Sequence, residues 1–235
     1  MFISSINNQL VKDTVKLHKK KNRDQTGLFL VEGYHLYEEA KLTPYVKTVF
    51  TTDDAIQGIN VVHVTEEVLE KLAQTKSPSP IICVCTKIDK KEITDKVLIL
   101  EEIQDPGNLG TLLRSALGFG FDTIVLDKCV DVYNDKVLRS TQGMIFKLNL
   151  VEMNTMNFIE QNSKYKVYGT EMNGSSITEI EASKFIALVL GNEGSGLSKT
   201  VLNRTYKNIA IKTKIESLNV GVAGSIIMHH ISSMN

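Results

Sequence analysis

Two apolar runs in this chain each stop abruptly at a turn rich in glycine and asparagine, beside the start of a helix. The first is Val97 to Leu100, followed by Glu101-Glu102-Ile103-Gln104-Asp105-Pro106-Gly107-Asn108. The second is Phe185 to Leu190, followed by Gly191-Asn192-Glu193-Gly194-Ser195-Gly196. A short continuous apolar run bounded by turn residues fits a strand buried on both faces. Thr123 to Leu126, Tyr165 to Thr170 and Asn208 to Ile211 read as further strands, with helical segments between them. Repeated strand–helix units predict a mostly parallel sheet covered on both sides. On such sheets ligands bind beyond the C-terminal ends of the strands. Both turns fall there, and glycine lets the backbone approach a ligand closely.

The helices beside these turns carry their own signals. Asp105 can cap a helix that has Pro106 at its first position, where a missing N–H costs nothing. Leu109, Leu112, Leu113, Ala116 and Leu117 form its apolar face, and Arg114 falls off that face. Asp135 to Gln142 reads as another helix. A final helix is expected from Leu218 to Ile231, with Asn219 placed to cap it.

Upstream, Ser4 or Ser5 is expected to cap a first helix carrying Ile6, Leu10, Val11, Thr14 and Leu17 at helical spacing. Strands are expected at Gly27 to Glu32, Val46 to Phe50, Val61 to Val64 and Ile81 to Thr86, with helices after Gly33 and Thr65. Lys87 to Lys96 is charged and lacks apolar periodicity, as a linker would. The chain therefore reads as α/β throughout, with a small N-terminal domain over residues 1–90 and a larger one over 96–235.

Lys+Arg and Asp+Glu both number 27, so only local charge informs about partners. Lys12, Lys16, Lys19, Lys20, Lys21 and Arg23 stand against Asp13 alone in their window. Such a patch suits RNA phosphates, Lys19 to Lys21 and Arg23 above all. It also suits a solvated helix end, where the macrodipole favours lysine. Three cysteines, Cys83, Cys85 and Cys129, do not make a disulfide framework and fit a reducing, cytoplasmic setting. Cys83 and Cys85 share an apolar run and read as core. No apolar run approaches the roughly 18 residues of a membrane span, and no membrane partner is expected.

Several common chemistries lack their residues. There is no Gly-x-x-x-x-Gly-Lys-Ser/Thr phosphate cradle, and the spacing of Gly191, Gly194 and Gly196 is not that of a dinucleotide fingerprint. Neither His-Glu-x-x-His nor Cys-x-x-Cys occurs, so no metal is expected. Gly194-Ser195-Gly196 lacks the spacing of a hydrolase elbow.

Three ordered stretches carry a specific resemblance. They are Asn108-Leu109-Gly110-Thr111-Leu112-Leu113-Arg114, Leu190-Gly191-Asn192-Glu193-Gly194-Ser195-Gly196-Leu197, and Ile211 with Ser217-Leu218-Asn219-Val220. In order, separation and C-terminal placement they resemble the motifs of the SpoU/TrmH branch of the SPOUT methyltransferases, which are RNA ribose 2′-O-methyltransferases. Gly27-Leu28-Phe29-Leu30-Val31-Glu32-Gly33 is similar to the start of the RNA-binding domain that often precedes them, itself like small ribosomal and kink-turn-binding proteins. Three positions depart from the pattern: Gly221 stands where serine is usual, and Lys212 and Asn149 where proline is common.

The resemblance implies a C-terminal domain threaded into a deep trefoil knot that cradles S-adenosyl-L-methionine, and a homodimer with a shared site. It implies catalytic-site roles for Asn108, Arg114, Glu193, Ser217 and Asn219. It places the cofactor against Thr170, Leu190, Gly191, Ile211, Leu218 and Asn219. Arg114 is then either a base or, because a guanidinium holds its proton to a pKa above about 12, a phosphate anchor that stabilises the forming alkoxide. The implied substrate is ribosomal RNA, with guanosine favoured. Transfer RNA and a non-catalytic RNA-binding or assembly role are the alternatives.

Overall fold

Asn8, not Ser4 or Ser5, starts the first helix: its side chain accepts the Leu10 N–H at 2.9 Å. Residues 5–8 form a turn, closed by the Asn8 N–H on the Ser5 carbonyl. The computed structural model describes residues 1–234. It divides into one unit of Met1–Ile88 with Tyr133–Phe146, and a second of Asp89–Val132 with the chain from Lys147 onward.

The first unit runs β1 (Phe2–Ile3), α1 (Gln9–Lys16), α2 (Lys20–Thr26), β2 (Leu28–Glu32), α3 (Tyr34–Ala40), β3 (Val46–Thr51), β4 (Val61–Val64), α4 (Glu66–Leu72) and β5 (Ile81–Thr86). Its five-stranded sheet has the order β1-β4-β3-β5-β2. The sheet is mixed: β1, β4 and β3 are parallel, whereas β5 runs antiparallel to both β3 and β2. Val11, Leu17, Phe50, Val68, Leu69 and Leu72 belong to one apolar cluster. Cys83 and Cys85 are buried in β5, and burial pushes the Cys85 thiol up to about 12, so both behave as apolar residues.

The chain continues with β6 (Lys96–Glu101), α5 (Pro106–Gly118), β7 (Thr123–Asp127), α6 (Asp135–Thr141), β8 (Asn149–Glu152), α7 (Thr155–Gln161), β9 (Lys166–Ser176), β10 (Ile186–Leu190), α8 (Lys199–Leu202), β11 (Lys207–Ala210) and α9 (Val220–Ser233). All but α6 belong to the second unit. This differs from two uninterrupted domains over 1–90 and 96–235. Aromatic packing explains the excursion: Phe29 lies 4.6 Å from Tyr133 and 6.2 Å from Phe146 between ring centroids, and Tyr45 stacks on Phe146 at 6.4 Å.

Part of the expected linker is fastened. The Asn149 side chain donates to the Lys91 and Glu92 carbonyls at 3.1 Å each and accepts the Lys91 N–H at 2.9 Å. The Thr94 N–H reaches Thr123 Oγ1 at 3.0 Å. Residues 91–94 are thus laid along the start of the second unit's sheet.

That sheet has six strands in the order β11-β9-β10-β6-β7-β8, and every pairing is parallel. Leu98 to Leu100 and Ile186 to Val189 are fully buried, as strands covered on both faces must be. From β6 the order proceeds to β7 and β8 on one side and to β10, β9 and β11 on the other. The C-terminal ends of β6 and β10 therefore flank the switch point where doubly wound sheets open a crevice. Helix α9 crosses α5 and β10 at Gly224, where a Cβ would come within 2.5 Å of both Leu112 and Leu190. Ser225 Oγ lies 2.7 Å from Ser115 Oγ at the same crossing. Among the described residues no helix is long and apolar enough to cross a membrane.

Gly224→Ala is expected to lower unfolding stability by about 1–3 kcal/mol, since Leu112 and Leu190 are packed in the core and must shift. Gly118→Ala, whose Cβ would meet nothing within 4 Å, is expected to be neutral or slightly stabilising. Urea denaturation midpoints of the two variants check the contrast.

Candidate functional site

The site grows from one helix cap. Asn219 precedes α9, and its Oδ1 accepts the N–H groups of Gly221 at 2.9 Å and Val222 at 3.2 Å. An amide whose oxygen is engaged by N–H donors must present its NH2 on the other side. Asn219 Nδ2 accordingly donates to Asn108 Oδ1 at 2.8 Å. Asn108 Nδ2 in turn donates to Glu193 Oε1 at 3.2 Å. The chain of bonds has one direction and ends on a carboxylate, which only accepts.

Glu193 gathers more donors. The Asp105 N–H reaches its Oε1 at 3.1 Å and the Gln104 N–H its Oε2 at 3.3 Å. Burial pushes the Glu193 carboxyl up, but bonds from its own N–H and from Asp105, Asn108 and Gln104 outweigh it and hold the group below its ordinary value of 4.5. Asp105 caps α5 as expected, accepting the Asn108 N–H at 2.8 Å. The relay thus ties the start of α9, the first turn of α5 and the loop after β10 together.

Two further clips fix that loop, and neither was anticipated from sequence. Asn192 Nδ2 donates to the Glu102 carbonyl at 2.9 Å, while its Oδ1 accepts the N–H groups of Gly194 at 2.9 Å and Ser195 at 3.2 Å. Ser198, the cap of α8, donates through Oγ to Glu101 at 2.9 Å and through N–H at 3.1 Å. The available signal was local: an Asn-x-Gly-Ser turn and a serine just before a helix. At the base of the loop a Cβ on Gly191 would lie 2.3 Å from the Gly196 carbonyl carbon. Only glycine fits there.

The expected cofactor contacts follow the strand ends. Leu190 ends β10 and Gly191 follows it. β9 pairs with β10 through Gly169 and Val189, and Thr170 Oγ1 donates to the Val189 carbonyl at 3.2 Å. Ile211 follows the last residue of β11, and Leu218 immediately precedes the relay residue Asn219. The pairing of β11 with β9 jumps from Gly169 to Ser175, so residues 170–174 bow out of the ladder. Of these positions only Gly191 is a glycine, and Leu190, Ile211 and Leu218 bring apolar side chains, so any polar contact from these four would come from the main chain. Arg114 and Ser217 are exposed, and among the described residues neither has a hydrogen bond or ion pair. Cys129 is near the end of β7, and burial pushes its thiol up to about 12, which removes it as a nucleophile at neutral pH. Among the described residues no group of three or more His, Cys, Asp or Glu side chains is arranged for a metal ion.

The basic patch of the first unit needs a correction. Lys19, Lys20 and Lys21 are exposed, with Lys20 paired to Asp24 at 2.7 Å. Arg23 is only 4% exposed, and its Nη1 donates to the carbonyls of Leu17 at 2.8 Å and His18 at 2.9 Å. These are carbonyls left over where α1 ends, and the guanidinium satisfies them in place of water. Arg23 therefore stabilises the break between α1 and α2 and is withdrawn from any phosphate.

The pattern of the SpoU rRNA Methylase family matches residues 95–229, and that of the MRM3-like substrate binding domain matches residues 8–83. The 23S rRNA (guanosine(2553)-2′-O)-methyltransferase RlmP of Bacillus subtilis is 40% identical, over 97% of this chain and 98% of that protein. The crystal structure of an rRNA methyltransferase from Sinorhizobium meliloti is 25% identical, covers 100% of this chain and 98% of its own, and superposes with a TM-score of 0.89. Its AdoMet-bound form superposes at 0.87 with the same identity and coverage.

A depressed carboxyl stabilises the fold above its unfolded value and loses that contribution as pH falls through the folded value. Glu193→Gln places an NH2 against donors and is expected to unfold earlier than the parent at neutral pH. The gap between the two melting midpoints should close as pH falls through and below the ordinary carboxylate range, where the parent's Glu193 takes up its proton. A gap independent of pH would show that the charge is not what holds the loop.

Proposed function

The chain belongs to the SpoU rRNA Methylase family, and we propose that it transfers a methyl group from S-adenosyl-L-methionine to a ribose 2′-hydroxyl of ribosomal RNA, with guanosine as the favoured nucleotide. The observation that carries this reading is the Asn219–Asn108–Glu193 relay. It joins one residue from each of the three motif stretches at the switch point of a parallel sheet, and leaves Arg114 exposed two turns along α5. The residues present fit the cofactor: glycine at 191 leaves the backbone bare, and Leu190, Ile211 and Leu218 offer main-chain groups around it. When bound, S-adenosyl-L-methionine supplies an electrophilic methyl group on a sulfonium, so no metal is required.

The protein's task is to make a ribose hydroxyl nucleophilic. Glu193 is a poor candidate for the base, because its oxygens already accept N–H bonds and its carboxyl is held low. Its role is to brace the loop. Arg114 offers a guanidinium, a side chain with donors only and no acceptor. In this reading it grips the phosphate beside the target ribose and stabilises the alkoxide as the hydroxyl proton leaves. Asn108 and Asn219 fix the start of α5, and hence the direction of Arg114. Ser217 lies two residues before Asn219, where its hydroxyl can orient the substrate.

Two further features belong to the same proposal. The close approaches at Gly191 and Gly224 support a C-terminal chain drawn through a loop as a deep trefoil knot. A homodimer with a shared site, in the cytoplasm, completes the reading. The first unit, with its exposed Lys19, Lys20 and Lys21, would hold the RNA.

Arg114→Ala is expected to lower the methylation rate by at least about a hundredfold, a loss typical of removing one electrostatic stabiliser. Cofactor affinity should stay within a few-fold. Tritium transfer from labelled S-adenosyl-L-methionine into an unmodified 23S rRNA transcript measures the first, and calorimetry the second. A parental rate in this variant would remove Arg114 from the mechanism. Sedimentation at micromolar concentration is expected to show a dimer; a monomer active at the same concentration would overturn the shared site.

A further inference from the structure

Charge is distributed unevenly between the two ends of the second unit's parallel sheet. At the N-terminal end several cations have partners. Lys166 pairs with Glu181 at 2.5 Å, Lys207 with Glu179 at 3.4 Å, and Lys184 with Asp95 and Arg204 with Glu160 at 4.0 Å each. Lys164 stands over the Phe185 ring at 4.5 Å. Lys90, Lys91 and Lys96 alternate along the chain with Asp89, Glu92 and Asp95.

Around the relay it is the carboxylates that are engaged: Glu101 holds Ser198, Glu193 holds Gln104, Asp105 and Asn108, and Asp105 caps α5. Glu102 pairs with Lys128 at 3.4 Å. The cations are turned outward. Lys199, at the start of α8, is exposed, as are Lys212 and Lys214 in the loop between β11 and α9. Among the described residues none of the three has an ion-pair partner. Glu216 in that loop and Glu171 on the bowed part of β9 are exposed acids nearby, in addition to the engaged Glu193 and Asp105.

Position fixes these lysines beside the site. Lys199 follows Ser198, which is clamped to Glu101. Lys212 and Lys214 lie between Ile211 and Leu218, and the loop ends on Asn219, itself bonded to Asn108. An exposed ammonium not engaged in an ion pair keeps more of its attraction for a phosphodiester, whereas one already paired gains little by exchanging partners.

We propose that Lys199, Lys212 and Lys214 grip the phosphates of the RNA strand flanking the nucleotide presented to Arg114. The inference rests on the methyl-transfer reading above and deepens it. It assigns a phosphodiester-binding surface to the catalytic unit itself, in addition to the lysines of the first unit.

The test is the salt dependence of binding to an unmodified 23S rRNA transcript, compared between the parent and the triple variant Lys199→Gln/Lys212→Gln/Lys214→Gln. Each lost phosphate contact removes roughly 0.7 to 0.9 from the slope of log affinity against log salt, so three should flatten it by about 2 to 3. Lys164→Gln/Lys184→Gln, at the opposite end of the sheet, should leave the slope unchanged. Affinity for S-adenosyl-L-methionine should be the same in all three proteins. An unaltered slope in the triple variant, or an equal loss per charge in the control pair, would overturn the assignment. If the parent methylates no RNA yet the slopes differ as expected, the methyl-transfer reading falls and the phosphate surface stands. If the parent methylates the transcript and the slopes agree, the reverse holds.

Discussion

The second unit depends on a hydrogen-bond relay whose polarity is fixed at both ends. At one end the N–H groups of Gly221 and Val222 require an acceptor, because the first turn of a helix leaves its donors unpaired. At the other end Glu193 can only accept. Asn219 and Asn108 stand between, each accepting on one side and donating on the other. Neither amide can be reversed without setting donor against donor or oxygen against oxygen. Three segments separated by up to 111 residues are thereby held in one geometry by the protein's own bonds. A site organised in advance avoids the ordering cost that a mobile loop would meet on binding.

The relay works only because the sheet delivers its members to one place. Parallel strands put all their C-terminal ends on one side, and the switch point between β6 and β10 brings the Gln104–Asn108 turn and the Gly191–Ser198 loop face to face. Glycine is required where backbone meets backbone, at Gly191 against Gly196, and where α9 crosses Leu112 and Leu190 at Gly224. Fold and site are not separable here. The strand ends that close the core are the ones that carry the polar clips.

Features written locally were legible in the sequence. Asp105-Pro106 and Asn219 announce helix starts through the chemistry of caps, and both caps form as expected. The buried strands announce themselves as continuous apolar runs. What escaped was set by distant partners. Arg23 looks like its lysine neighbours until the carbonyls of Leu17 and His18 turn toward it. Tyr133 and Phe146 give no periodic signal, yet their packing with Phe29 and Tyr45 assigns residues 133–146 to the first unit. Asn149 looked like a mere departure from proline. Its amide instead serves three main-chain groups of residues 91 and 92, which proline could not do. The clips from Asn192 to Glu102 and from Ser198 to Glu101 span some ninety or more residues, beyond any window of local pattern.

The choice of asparagine within the relay also bears on the partner. An aspartate at position 108 would set a second carboxylate against Glu193 and remove the donor that holds it. A lysine there would neutralise Glu193 but could not accept from Asn219. Asparagine carries the connection without adding charge. The only formal charge in the relay is then the Glu193 carboxylate, engaged by two backbone N–H groups and one amide. Its field is largely answered within the protein, as is that of Glu101 beneath Ser198. An RNA strand approaching this end of the sheet would meet Arg114 and the exposed lysines, with Glu171 and Glu216 the exposed acids left unengaged. The same bonds that order the loop thus answer two of the carboxylates that a polyanion would otherwise face.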